Sequence, residues 1–357
     1  MANDIIELEK IDLGDIKTLD QFFKFATNAG TIEQALGNNL YGINQSKSKS
    51  ALPDNKDSTG YTFFTRPQLN LSTYNIQNTR LMYNYMASNK SVLHGYVRHM
   101  LDPRLRYTEQ GLDSPFVDPY NPFIPILSNT INTLSGWPDI ALPTFTSKPG
   151  VRKEAWSIAD GATEIYDVYD LDATFRNVQE EPTILLFHAW ILYMAYVFEG
   201  MLSPYMDMIT ENEIDYNTRI YRLIMDPTNR YVKKIAATGA SYPLNVPTGR
   251  MFDHNSNVTY SDQAKEINIR FKCMGAMYND PILYKEFNET VAIFNPRVRN
   301  MLNGTTNHGL EKIPHTLIDL LRHRGYPVIN MKTFELEWYI SKDSPEYKKL
   351  INLVKKG

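Results

Sequence analysis

The order of apolar and polar positions divides the chain into a strand-rich middle with helical flanks. The cleanest alternation runs from Glu266 to Cys273. Ile267, Ile269, Phe271 and Cys273 fall on one face and Asn268, Arg270 and Lys272 on the other, the period of a half-buried strand. Ile165 to Phe175 repeats it, with Tyr169, Leu171, Ala173 and Phe175 opposite Asp170, Asp172 and Thr174. Tyr216 to Met225 predicts a strand, Asp226 to Arg230 carries turn chemistry, and Tyr231 to Ala237 predicts the returning strand of a hairpin. Gly239 to Arg250, with Pro243, Pro247 and Gly249, reads as loop. Between these strands Pro182 to Phe198 is almost wholly apolar and predicts one buried helix. Proline suits its first turn, and Glu180 and Glu181 favour the positive end of its dipole.

The flanks are less regular. Residues 1–60 read as an arm: an amphipathic helix over Thr18 to Leu36 with Thr18 as N-cap, then a polar linker from Gln45 to Gly60. Such an arm orders either against a partner or by folding back on its own domain. Tyr61 to Pro67 has strand character, and Asn75 to Met86 and Ser91 to Leu101 predict two short helices. Prolines at 115, 119, 122 and 125 make Leu112 to Pro125 an extended loop. Ile140 to Phe145 predicts a short strand and Lys153 to Ile158 starts another. Beyond residue 280 come helices over Ile282 to Phe294 and Pro314 to Arg324, the latter with Leu317, Leu320 and Leu321 on one side. A strand over Val328 to Ile340 would carry Phe334, Leu336 and Trp338 on one face, and Lys348 to Lys356 forms a basic tail. The chain thus divides into 1–60 (arm and linker), 61–138 (helices and loops), 139–280 (β domain) and 281–357 (α/β extension).

Composition narrows the functional classes. The 357 residues are 43% hydrophobic and 22% charged, enough for one large domain or two smaller ones. A net charge of -3 gives no general attraction to nucleic acid or anionic membranes. A single cysteine, Cys273, excludes an internal disulfide framework, and its place on an apolar strand face predicts a buried, inert thiol. The first residues lack the basic and apolar regions of a signal peptide. Ile184 to Phe198 falls short of the roughly 20 residues a membrane-spanning helix needs, so no membrane is expected as partner. The 23 tyrosines suit surfaces that pack against neighbours.

Catalytic chemistry is hard to place. His94 and His99 lack the spacing that sets two metal ligands on one helical face, and His188 sits in the apolar helix as a core histidine. His308, His315 and His323 have no cysteine or clustered carboxylates beside them. The acidic run Asp207, Glu211, Glu213 and Asp215 reads as a solvated connection rather than a cation site. No phosphate-binding loop or nucleophile elbow occurs. The expectation is a chain without enzymatic activity and without cofactor or metal.

The order of elements from Asp139 to Tyr278 resembles the tail-tube proteins and tube-initiating baseplate proteins of viruses with contractile tails. Ala141-Leu142-Pro143 stands where that family has a strand ending in Leu-Pro before a long hairpin. Asp172-Ala-Thr-Phe175 leads to a helix carrying Phe187-His-Ala-Trp190. Gly239-Ala-Ser-Tyr-Pro243 follows the next hairpin, and the closing strand, Ile267 to Phe271, ends near Tyr278. The resemblance implies an α+β fold: a tail-tube-like β-sandwich or barrel with one packed helix, here with helical N- and C-terminal extensions. It implies a virion structural protein of the tail, assembled in the host cytoplasm into a ring of about six copies by joining sheet edges.

The extra segments fit a tube-initiating or baseplate-hub component. A tube subunit or a neck or tail-terminator protein is the alternative, and a virion-borne enzyme or an adaptor a further one. Other tail, baseplate or neck proteins would be its partners, with DNA passing through the lumen. Candidate interface residues are Phe63, Phe64, Arg66, Tyr216, Arg219, Tyr221, Arg270 and Lys272. Asp160, Glu164, Asp167, Asp170 and Asp172 are the candidates for an acidic lumen, read against a plain solvated hairpin.

Overall fold

The computed structural model describes residues 59–86, 92–105, 116–161, 167–253, 264–305, 309–345, 347–348 and 351. The arm with its helix over 18–36, the linker, Glu164 and most of the basic tail lie outside the described residues. In chain order the described part runs β1 (Gly60–Phe64), α1 (Thr73–Ile76), α2 (Arg80–Met86), α3 (Val92–Leu101), α4 (Pro125–Thr130), β2 (Ile131–Ser135), β3 (Thr144–Thr146), β4 (Ser157–Ala159), β5 (Val168–Arg176), α5 (Pro182–Phe198) and α6 (Met206–Glu211). It continues with β6 (Ile220–Met225), β7 (Val232–Pro243), β8 (Glu266–Tyr278), α7 (Pro281–Phe294), α8 (Pro296–Leu302), β9 (Leu310–Lys312), α9 (His315–Ile318), β10 (Tyr326–Ile329) and β11 (Leu336–Ser341).

Six strands form one antiparallel sheet in the order β1-β6-β7-β8-β5-β2, curled into a half-barrel. The expected hairpins supply its centre: Tyr221 pairs with Ala237 across β6 and β7, and Leu171 with Phe271 across β5 and β8. The curl has a visible hinge. Ala237 and Ser241 are four residues apart, so regular pleating would place them on one face. Ala237 instead packs with the α7 side, while Ser241 lies opposite Cys273 on the α5 side. The phase changes where β7 and β8 pass at Gly239 and Gly275. Gly275 adopts φ +68°, and a Cβ on Gly239 would lie 2.4 Å from the Met274 carbonyl oxygen.

Two apolar clusters result, one on each face, and the dipeptide Phe63-Phe64 contributes to both. Phe64 faces α5 with Leu171, Phe175, Phe187, Trp190 and Phe271, joined by Leu69, Met82, Val97 and Leu101 from the α1–α3 region. Trp190 is fully buried, stacks on Phe187 with centroids 6.2 Å apart, and donates its indole N–H to the Tyr216 carbonyl at 3.0 Å. Phe63 faces the other way, 4.7 Å from Phe123 and 5.3 Å from Phe287, in a cluster completed by α7 and the small sheet β10-β11-β9. Covering β1 and β6 on both faces leaves the outer face of β8, β5 and β2 in solvent.

Several local expectations need correction. The segment after Ala237 is not loop, because β7 continues to Pro243. Proline closes the strand, and the paired glycines bend it without breaking it. Pro314 to Arg324 holds only the single turn α9. Arg322 and His323 take left-handed φ of 53° and 52°, and Leu320 is exposed. Val328 to Ile340 is two strands rather than one: β10 and β11 pair around a turn in which Phe334 has φ 57° and points outward. Ile140 to Phe145 gives strand only from Thr144. The polar strand β2 and the Asn-capped helix α8 are additions.

Candidate functional site

The open surfaces of this fold are a sheet edge, a projecting hairpin and one charged sheet face. The two edges of the main sheet differ. Along β1 the outer edge is partly covered: Thr65 bridges to Phe123, the Ile124 amide donates to the Phe64 carbonyl at 2.9 Å, and the Arg66 amide donates to Pro122 at 2.8 Å. Along β2 the inner side pairs with β5 (Leu134 with Ala173, Ser135 with Asp172). Among the described residues no strand pairs with its outer side. An edge with unpaired N–H and C=O groups is a template for another strand.

The hairpin β3–β4 stands apart from both clusters. Its six strand residues are all exposed, with Phe145 opposite Ile158 and Phe145 5.9 Å from Trp156. Phe145 and Trp156 are 49% and 58% exposed, and Ile140, Leu142 and Val151 add further exposed apolar surface. A lone two-stranded hairpin is marginal in water. Exposed apolar area of this kind is typical of protein interaction surfaces.

On the outer face of β5 and β8 the charges form a register. Asp170 lies opposite Lys272 and Asp172 opposite Arg270, then Thr174 opposite Asn268 and Arg176 opposite Glu266. The first two pairs are salt bridges of 2.8 and 2.9 Å, and Thr174 donates to Asn268 at 3.0 Å. An open depression of ≈ 620 Å³ beside them is lined by Asp172, Thr174, Asn245, Asn268 and Arg270. These groups already satisfy one another: Asn245 donates to the Asn268 carbonyl and accepts from the Arg270 amide. Polar groups spent on each other do not converge on a substrate.

The sequence candidates fall into distinct places. Phe63, Phe64 and Tyr221 are core residues of the protomer. Arg66 is buried and donates to the carbonyls of Met100, Pro119, Asn121 and His99. Arg219 bridges Glu286 on α7 at 2.7 Å, and Tyr216 packs edge-on against Tyr242 at 5.7 Å. These six residues work inside the protomer, whereas Arg270 and Lys272 lie on the open face, each beside an acid. Asp160 closes the base of the β3–β4 hairpin, its amide donating to Pro143, and Asp167 accepts from the Val168 amide. Asp170 and Asp172 are matched by cross-strand bases that a reading of Asp160 to Asp172 alone does not reveal. The signal for the hairpin was present as apolar residues inside a Pro- and Ser-containing stretch, whereas the edge position of β2 leaves no mark in composition.

Buried ionisable groups are structural. Asp102 accepts from the Leu71 and Arg104 amides and the Tyr205 hydroxyl, yet burial pushes its carboxyl up to about 6. Burial also raises Asp215, which accepts from the Tyr193 hydroxyl. Burial pushes the Cys273 thiol up to about 11, that of an inert cysteine. Among the described residues no group of three or more His, Cys, Asp or Glu gathers to hold a metal, and no helix is long and apolar enough to cross a membrane.

No curated protein matches the chain. Among solved structures the tube-terminating cap of the anti-feeding prophage is similar at 11% identity and TM-score 0.27, covering 44% of this chain and 81% of that one. The sheath/tube terminator of an extracellular contractile injection system has 11% identity and TM-score 0.25, over 44% and 87% of the two chains. A chain of the sheath-tube complex of such a system has 13% identity and TM-score 0.24, over 44% and 82%. The family model described as "Putative phage tail tube protein" matches residues 11–356. The chain therefore belongs to this phage tail tube protein family, a family of structural tail proteins.

Proposed function

We propose that this chain is a ring-forming structural component at one end of a virion tail tube, a tube-initiating or baseplate-hub protein that acts without catalysis. The observation that carries this reading is the open β2 edge of the curled sheet beside the exposed β3–β4 hairpin. Pairing of β2 with the partly covered β1 edge of the next copy would extend the sheet from one copy to the next, and rotation would close the ring, of about six copies. The hairpin would bury Phe145 and Trp156 against a neighbouring ring or another tail protein. The β8–β5–β2 face would then line the lumen. Its register of Asp170–Lys272 and Asp172–Arg270 presents balanced rather than uniformly acidic charge to passing DNA.

The C-terminal extension supports an end position over a repeating one. It covers one face of β1 and β6 and adds the small sheet β10-β11-β9, a surface for a neighbour other than the tube. The terminator or neck role shares the same surfaces and differs in which neighbour the hairpin meets. Negative-stain microscopy and native mass spectrometry of the purified chain test the reading. Closed rings are expected, with higher stacks lost in the variant Phe145→Asp/Trp156→Asp while single rings persist. Monodisperse monomers at all concentrations would overturn self-assembly and leave an adaptor.

A further inference from the structure

A second exposed apolar surface lies where α5 ends. Phe198 is 93% exposed, followed by Met201, Met206 and Ile209, all exposed, with Glu211 and Glu213 at the rim. No Lys or Arg occurs between residues 198 and 218. The connection is not a loose loop. Ser203 exchanges hydrogen bonds with the Asn75 side chain, at 3.0 and 3.1 Å, and its carbonyl also accepts from Asn70 at 2.9 Å. Tyr205 donates to the buried Asp102 at 2.8 Å, and Arg104 bridges Asp207 at 2.6 Å. Buried polar anchors hold the corner in place while its large apolar side chains face water. Surface fixed in advance binds without a further ordering cost, and exposed apolar side chains gathered on one short stretch beside acidic residues suit a docking face.

The same chain carries the complementary chemistry. Tyr347 packs at the margin of the α7 cluster, and after it the sequence reads Lys348-Lys-Leu-Ile-Asn-Leu-Val-Lys-Lys356. That stretch has four lysines flanking four aliphatic residues and no acid. We infer that residues 348–357 of one copy dock on the α5–α6 corner of a second copy. The aliphatic side chains cover Phe198, Met201, Met206 and Ile209, and the lysines face Glu211 and Glu213. The contact joins two different patches of the molecule, so it is heterologous and propagates around a ring or along a chain of copies. It is independent of strand addition at β2 and stands or falls without it.

The test mixes two full-length single-cysteine variants, Ile209→Cys and Val354→Cys, under mild oxidation. The buried Cys273 does not compete. Disulfide-linked heterodimer is expected about tenfold or more above a control pairing Val354→Cys with Ile282→Cys on α7, because docking raises the local concentration. Adding Glu211→Lys/Glu213→Lys to the Ile209→Cys partner is expected to bring the yield back to that of the control. Heterodimer no more abundant than the control overturns the proposal. So does closure within one chain in the double variant Ile209→Cys/Val354→Cys, since the tail would then sit on its own protomer. Ring formation by microscopy is read separately, so loss of this contact is distinguishable from failure of the tube reading.

Discussion

Replacing Arg66 by alanine separates a structural arginine from an interface arginine. Its guanidinium is buried at the end of β1 and bridges two segments: Nε donates to Met100 at 3.0 Å, Nη1 to Pro119 and Asn121 at 3.3 and 3.1 Å, and Nη2 to His99. A hydrogen bond from a charged donor contributes roughly 1.5–3 kcal/mol, but bonds sharing one group do not add. Breaking a buried charged network by removing one partner costs about 3–5 kcal/mol, and Arg66→Ala should fall in that range. At about 2–4 °C per kcal/mol for a domain of this order, Tm should drop by roughly 6–20 °C. Arg66→Lys, with a single ammonium in place of the planar fork, should lose less than alanine and still melt below wild type. The 119–124 segment that Arg66 holds also covers the β1 edge, so the alanine variant should aggregate on heating more readily than wild type. Circular dichroism melts with light scattering measure both effects. An Arg66→Ala protein that melts within about 2 °C of wild type yet fails to form rings would refute this assignment and return Arg66 to the interface.

Other perturbations probe the remaining links. Asp102 has its folded pKa raised by burial from 3.8 to about 6, so the stability it adds when protonated is lost as pH rises from about 4 to about 6. Asp102→Asn should remove that part of the dependence and gain stability relative to wild type across the window, as read from urea midpoints at stepped pH. Parallel curves for the two proteins would rule it out. Gly275→Ala should cost about 1–2 kcal/mol from its left-handed φ alone, because the Cβ position is open, and a neutral result in chemical denaturation would deny the hinge. A double-mutant cycle on Asp172 and Arg270 should give a coupling of about 1 kcal/mol or less, since both groups are more than half exposed. A coupling well above that would show the pair to be shielded from solvent.

What the sequence reveals here follows from which physical constraint each position obeys. Burial on one face of a strand enforces period two, so β5, β8 and the β6–β7 hairpin are readable from Leu171, Phe271 and Leu223 and their neighbours. Burial along most of a helix makes α5 readable from hydropathy and its initiating proline. Phe63 and Phe64 mislead for a definite reason. Two consecutive aromatics break the alternation expected of a sheet covered on one face and so look like contact residues. In this molecule β1 is covered on both faces, and each ring has its own cluster. Arg66 misleads similarly, because nothing local reveals that four backbone carbonyls from distant segments surround it.

Edges are a different kind of property. Whether a strand is central or terminal depends on what the rest of the chain places beside it, and β2 (Ile-Asn-Thr-Leu-Ser) has too few apolar positions to announce even its existence. Charge is similarly non-local: the acids of β5 suggest a repulsive wall until the register sets Arg270 and Lys272 opposite them. The features on which assembly rests, an open edge, an unsupported hairpin and a fixed apolar corner, are the places where the chain departs from self-sufficient folding. Each leaves backbone groups or apolar area unsatisfied in the protomer, which the proposed assembly would satisfy with a neighbour. The β1 edge is partly covered by Pro122 to Ile124 and the β2 edge is open, so the two ends of the sheet differ, which gives the protomer the polarity a heterologous ring requires.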